Sequence, residues 1–164
     1  DIAAAIDAGL PAYAECGGLM YLARSIEWRG VKAAMVGVIP GDITMHPKPV
    51  GRGYVILEAN DKHPWRSAQG HGSTVTTGPA PALLHAHEFH YSSLTALPAD
   101  IDLAYTVRRG HGVDGQRDGI VLHRLLASYT HLRATSGCDW PAKFVQHVRD
   151  CVATDHKEPV SCSH

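Results

Sequence analysis

The chain has 164 residues, enough for one domain with a sizeable core. Its 15 basic and 16 acidic residues give a formal net charge of -1, so no sequence-wide pull toward nucleic acid or an anionic membrane is expected. The longest apolar stretch, near Ala33–Ile39, is far too short to span a bilayer, and the start does not read as a secretory signal.

The opening segment Asp1-Ile-Ala-Ala-Ala-Ile-Asp-Ala-Gly9 reads as an amphipathic helix over about 1–8, closed by Gly9 and followed by Pro11. It begins without an initiator Met, as if it were a piece of a longer or processed polypeptide. A buried strand is expected at 11–15. A helix from Cys16 to about Ser25 follows, with Leu19, Leu22 and Ile26 on one face. Ala33–Ile39 reads as a strand ended by Pro40-Gly41, and Gly53–Glu58 as another. Residues 60–81 read as an irregular connection with a short strand at Thr74–Thr76. Strands are expected at Leu83–Tyr91, Asp102–Val107, Asp118–Leu122 and Leu126–Thr130. A last helix over Pro141–Val152 starts near Cys138 or Asp139, and 154–164 reads as a disordered polar tail beyond a single domain at 1–153. Helix–strand–helix units followed by short strands indicate an α/β sheet with an added β region.

The densest chemical signal is Leu10-Pro-Ala-Tyr-Ala-Glu-Cys16-Gly-Gly-Leu-Met-Tyr21. A short apolar run, a lone cysteine and two glycines before a helical pattern have the layout of a nucleophile elbow. Its strained turn needs small neighbours, here Ala14 and Gly18. The Gly17 N–H at the helix start would stabilise an oxyanion. The same helix end would lower the Cys16 thiol pKa. His131, in Leu126-Ala-Ser-Tyr-Thr-His131, closes a short apolar strand and is a candidate base. Cysteine with a distant histidine is the arrangement that acyl transfer needs.

Leu84-His85-Ala-His87-Glu88-Phe-His90-Tyr91-Ser92 raises a metal-dependent hydrolase as an alternative. On a strand, His85 and His87 share one face, and Glu88 and His90 share the other. The spacing is not H-E-x-x-H, and polar residues lining a cleft or interface are the simpler reading, so no metal is expected. Cys138, His147, Cys151, His156, Cys162 and His164 contain no C-x-x-C pair and read as a solvated helix face with a loose tail. The four cysteines do not form a disulfide framework and point to a reducing cytoplasm. No phosphate loop or dinucleotide fingerprint is present, so no nucleotide cofactor is expected on this chain.

Taken together, Tyr13-Ala-Glu-Cys16-Gly-Gly-Leu-Met-Tyr21, Val36-Gly-Val-Ile-Pro-Gly41, His87-Glu-Phe-His-Tyr-Ser92, Asp118-Gly-Ile and Ala127-Ser-Tyr-Thr-His131-Leu resemble the glutamine amidotransferase domain of the cobyrinic acid a,c-diamide synthase family. The resemblance runs from about Asp1 to Val152, and cobyric acid synthases share the domain type. It implies a class I, flavodoxin-like three-layer sandwich, N-terminally incomplete here. Cys16 would attack the side-chain amide of glutamine, with His131 as base. Ammonia would pass to a synthetase domain or chain that uses ATP and magnesium to amidate two acetate side chains of a tetrapyrrole.

The chain departs from that family in four ways. Judged against family size, the synthetase domain and a further stretch of the amidotransferase domain ahead of Cys16, which would carry the first strands and a second oxyanion donor, are expected to lie outside this sequence. His131 is followed by Leu132-Arg133 rather than by His-x-Glu, which leaves the orienting acid unassigned; Glu88 is a candidate by motif proximity, and His87 and His90 are interface or orienting candidates. The segment Met45–Tyr54 looks more like relatives linked to sirohaem amidation. The missing parts also motivate an interaction or regulatory module with degenerate chemistry as an alternative.

Overall fold

The computed structural model describes residues 1–65, 83–135 and 138–156. The elements in chain order are α1 (Ile2–Asp7), β1 (Ala12–Glu15), α2 (Gly17–Leu22), β2 (Ala23–Trp28), β3 (Val31–Ala34), β4 (Ile39–Met45), β5 (Gly51–Ala59), β6 (Leu83–His90), β7 (Ser92–Thr95), β8 (Asp102–Arg109), β9 (Arg117–Leu122), β10 (Leu125–Ser128), β11 (His131–Leu132) and α3 (Trp140–Asp155). Seven strands form one sheet in the order β1-β10-β9-β8-β5-β6-β11, and four form a second in the order β3-β2-β4-β7. The β1–β10 and β2–β4 pairs are parallel; the other pairs are antiparallel. This is the expected α/β class, and the four-stranded sheet is the added β region.

Period-two alternation splits the core into two packed layers on either side of the larger sheet. Leu125, Ala127 and Ile120 pack with Ile6 of α1, Leu19 and Leu22 of α2, and Ile39, Ile43 and Leu94 of the smaller sheet. Tyr13 and Leu126 point the other way, onto Val55, Leu57, Tyr105, Trp65 and the α3 residues Trp140 and Phe144. Every residue of β10 is buried, as suits a strand covered on both faces.

Several boundaries differ from the sequence expectation. Helix α2 stops at Leu22 rather than Ser25, because Ala23–Trp28 is drawn into β2 by pairing with β3 and β4. Arg24 and Ser25 both reach Asp42 of β4, and this tertiary pairing overrides local helical periodicity. The expected strand at 33–39 is divided between β3 and the start of β4. Pro40-Gly41 lies within β4, not at a strand end. It sits where the β2–β4 register shifts, so the missing proline N–H costs no regular ladder bond. A Cβ on Gly41 would stand 2.7 Å from Leu94 Cδ1 and 3.2 Å from Thr95 O, so the close approach of β7 favours a glycine there.

The expected strand 83–91 divides at Tyr91: β6 belongs to the larger sheet and β7 to the smaller. Residues Tyr129-Thr130 form a turn rather than the end of β10. Helix α3 starts behind Asp139, whose carboxylate accepts the Ala142 N–H, and carries Pro141 in its first turn. It continues through Thr154 and Asp155, past the expected boundary at 153. Thr74–Thr76 and residues 157–164 lie outside the described residues. No helix among the described residues is long and apolar enough to cross a membrane.

Candidate active site

Cys16 stands between the last residue of β1 and the first of α2, with φ 46° and ψ −98°. A positive φ on a residue bearing a Cβ is strained backbone, and a sharp strand-to-helix turn is what produces it here. The strain is held from both sides: the Cys16 N–H donates to Ser128 O at 2.7 Å, and the Cys16 carbonyl accepts the Met20 N–H at 3.0 Å. Small neighbours are required, as expected. A Cβ on Gly18 would already stand 3.2 Å from Ala14 Cβ, so a larger side chain would push the turn open.

The Cys16 thiol lies 3.8 Å from Phe89 O on β6, to which it donates. One expectation is overturned at this sulfur. Burial pushes the thiol above its ordinary range, and the charges of Glu15 and Asp118 push the same way. The Gly17 N–H pulls down but does not prevail. Near neutral pH Cys16 is therefore a thiol, and it needs a base to become a nucleophile.

His131 opens β11, which pairs with β6 so that His131 lies opposite His87. The two imidazoles stack with centroids 4.9 Å apart and planes 13° from parallel. His131 Nδ1 lies 3.5 Å from Glu15 Oε2. Glu15 Oε1 accepts the Leu132 N–H at 2.8 Å and the Tyr13 O–H at 2.5 Å. These contacts bring together the two edges of the seven-stranded sheet, β1 and β11. Cys16 follows Glu15 directly, and its sulfur meets β6 two residues beyond His87. The nucleophile turn and His131 thus converge on one end of β6. A thiol and a histidine carried to one end of β6, with a carboxylate facing the histidine, are the groups that acyl transfer needs.

The family model of the CobB/CobQ-like glutamine amidotransferase domain matches residues 1–137. The chain belongs to that family. The cobyrinate a,c-diamide synthase of Magnetococcus marinus is 40% identical over 132 residues, which are 80% of this chain and 26% of that protein. The synthase of the same name from Halobacterium salinarum is 40% identical over 129 residues, 78% of this chain and 26% of that protein. The one from Archaeoglobus fulgidus is 36% identical over 138 residues, 84% of this chain and 27% of that protein. The chain therefore spans about a quarter of the length of these relatives. A solved glutamine amidotransferase superimposes with a TM-score of 0.56 at 14% identity, covering 90% of this chain and 66% of that one. A glutamine amidotransferase from Thermotoga maritima superimposes at 0.50 and 14% identity, covering 96% of this chain and 55% of that one. These structures establish the flavodoxin-like amidotransferase fold.

In this amidotransferase domain the segment His87–Ser92 divides by strand parity. His87 and Phe89 face outward beside His131 and Cys16, while Glu88 and His90 point into the interior. Glu88 is consequently not positioned to orient His131. Its carboxylate accepts the His111 N–H at 2.7 Å and the Gly112 N–H at 2.9 Å, and lies 3.6 Å from His90 Nε2. Burial pushes that carboxyl up, but His90 and the two backbone donors outweigh it and hold it below its ordinary value. His90 stacks on Tyr129 at 4.0 Å between centroids, and its Nδ1 lies 2.8 Å from Ser92 O. By the same parity, His85 and His87 are exposed on the face opposite His90. No group of three or more metal-binding side chains converges among the described residues. At the other end of the chain, His147 and Cys151 lie one turn apart on α3, with the sulfur 3.7 Å from His147 Nε2.

Two carboxylates escaped sequence reasoning. Glu15 lay inside the quoted Ala-Glu-Cys motif; the available signal was a charged residue closing a buried strand beside a nucleophile. Asp118 is fully buried and accepts the N–H groups of Gly119 (2.8 Å), Tyr129 (3.1 Å) and Thr130 (3.0 Å), fixing the turn that delivers His131. Outside the turn, a cleft of about 440 Å³ is lined by Arg52, Tyr54, His87, Phe89 and Arg133, among others. Both arginines are exposed, and neither forms an ion pair with any described residue.

Proposed function

We propose that this domain hydrolyses glutamine and delivers the ammonia for amide formation on a tetrapyrrole. Cys16 attacks the side-chain amide carbon of glutamine. His131 takes the thiol proton and returns it to the departing nitrogen, which leaves as ammonia. The resulting thioester is cleaved by water that His131 deprotonates, releasing glutamate and the free thiol. The Gly17 N–H donates to the oxyanion formed in both steps. Arg52 and Arg133, facing the cleft beside His87, meet the α-carboxylate of the substrate.

The observation that carries the reading is the strained turn at Cys16 joined, through Glu15 and β6, to the imidazole of His131. The names of the relatives support the remaining steps. A synthetase part, using ATP and magnesium, activates acetate carboxylates of a tetrapyrrole such as cobyrinate, and ammonia from this site completes the amides. The nucleotide belongs there, since this chain has no phosphate loop. The described cysteines Cys16, Cys138 and Cys151 are unpaired, which fits the reducing cytoplasm we assign to the protein.

The test uses the intact enzyme. Glutamate release and glutamine-dependent amidation should be lost in Cys16→Ala, while ammonium salts still support amidation. Amidation that fails with ammonia as well as with glutamine would contradict this division of labour.

A further inference from the structure

We propose that Glu15 is the positioning residue that holds His131 in the tautomer able to accept the thiol proton, the role left open by the absence of a His-x-Glu sequence. This rests on the glutaminase reading of Cys16 and His131. The two oxygens of the carboxylate have different tasks. Oε1 is fixed to the framework by the Leu132 N–H and the Tyr13 O–H, at 2.8 and 2.5 Å. Oε2 is left facing His131 Nδ1 at 3.5 Å.

The clamp is itself rigid. Tyr13 is wedged among Trp65, Trp140 and Phe144, with ring centroids 4.8, 5.0 and 6.3 Å away. Burial, reinforced by Glu15, pushes ionisation of the Tyr13 hydroxyl far above its ordinary range, so it remains a donor wherever the enzyme works. His87 covers one face of the His131 ring and limits its rotation.

An acceptor-only group facing Nδ1 at 3.5 Å favours the tautomer in which that nitrogen carries the proton. The lone pair is then on Nε2, the nitrogen left to take the proton of Cys16. Without Glu15, the sheltered thiol would ionise somewhat more easily, but its base would be misdirected. The geometry singles out Glu15 over the other carboxylates: Glu88 is committed to Gly112 and His111, and Asp118 to Gly119, Tyr129 and Thr130.

Glu15→Gln is the decisive variant. Its carbonyl oxygen can keep the Leu132 and Tyr13 bonds, while its amide N–H₂ donates toward Nδ1 and forces the proton onto Nε2. In the intact protein, kcat for glutamate release should fall on the order of 10²–10⁴-fold with KM changed little, as expected when a triad carboxylate is replaced by an amide. Nitrogen NMR of the histidines, with His131 assigned by its loss in His131→Gln, should show Nδ1–H in the wild type and Nε2–H in the variant. Iodoacetamide should label Cys16 more slowly than wild type near neutral pH, and at the wild-type rate once pH alone ionises the thiol. A merely structural role would depress labelling at every pH and leave the tautomer unchanged.

Tyr13→Phe, which keeps the ring packing and removes one anchor, should lose several-fold in kcat and serves if Glu15→Gln folds poorly. Full kcat in Glu15→Gln, or a tautomer indifferent to it, overturns the proposal while leaving the glutaminase reading intact. Absence of Cys16-dependent glutamate release in the wild type would overturn that reading instead, and the substrate-free spectrum would still decide the tautomer.

Discussion

Asp118→Ala should be among the most destabilising single substitutions in the domain. The Asp118 side chain is fully buried, and its Oδ1 accepts from Gly119 and Tyr129 while Oδ2 accepts from Thr130. Alanine strips acceptors from all three backbone N–H groups. A buried donor left without a partner costs about 1–3 kcal/mol, so the three together cost roughly 3–6 kcal/mol once some relaxation is allowed. Burial pushes the Asp118 carboxyl up against the pull of those donors, so removing it recovers part of a desolvation cost and favours the lower half of that range. Asp118→Asn gives an internal control. Its carbonyl oxygen can stand at the Oδ1 position and keep two bonds, leaving only Thr130 unpaired, for a loss of about 1–3 kcal/mol. Urea denaturation followed by tryptophan fluorescence measures both. Because Tyr129 and Thr130 lead directly into His131, kcat should also drop in the asparagine variant at full folding. An alanine variant within about 1 kcal/mol of wild type would refute the assignment of Asp118 as the tie of this turn.

Gly51→Ala should uncouple the interior pair, since a Cβ there overlaps His90 Nε2 and stands 2.8 Å from the Glu88 carboxyl carbon; a loss of about 1–3 kcal/mol in melting or denaturant experiments is expected, and an unchanged stability would contradict the packing. Arg52→Met should raise KM for glutamine on the order of tenfold with kcat nearly intact, as for a lost carboxylate contact worth about 1.5 kcal/mol. A fall in kcat with KM constant would move Arg52 out of substrate binding. Hydrogen bonds from Arg24 and Ser25 hold the Asp42 carboxyl well below its ordinary value. Its stabilising contribution is therefore present above the ordinary carboxylate range and lost as pH falls toward the depressed value. Thermal melts from about pH 5 down to about pH 2 should show a shallower acid decline in Arg24→Met than in wild type, and identical slopes would remove the pair from the acid response.

The elbow was legible because its determinants are local. A short apolar run, a lone cysteine and small residues at 14 and 18 state the turn within a few residues, although the strand expected to be buried is a half-buried edge strand. Strand parity also correctly separated His85 and His87 from Glu88 and His90. Non-local forces account for what was missed. Leu19, Leu22 and Ile26 carry helical spacing, yet pairing with β4 and the Asp42 contacts turn Ala23–Trp28 into a strand. Pro40-Gly41 has the composition of a terminator and instead occupies an irregular step inside β4. The thiol direction was misjudged because a helix start is visible in sequence, whereas the burial that outweighs it is not. Glu15 was overlooked because its partners arrive only when opposite edges of the sheet meet.

The most direct test of the account is covalent trapping at the nucleophile. 6-Diazo-5-oxo-norleucine mimics glutamine and alkylates the group that attacks its carbon. Peptide mass spectrometry of the treated protein should place the adduct on Cys16, with protection by glutamine and strong slowing in His131→Ala. An adduct on Cys138 or Cys151, or an unmodified Cys16 in protein that still hydrolyses glutamine, would contradict the account.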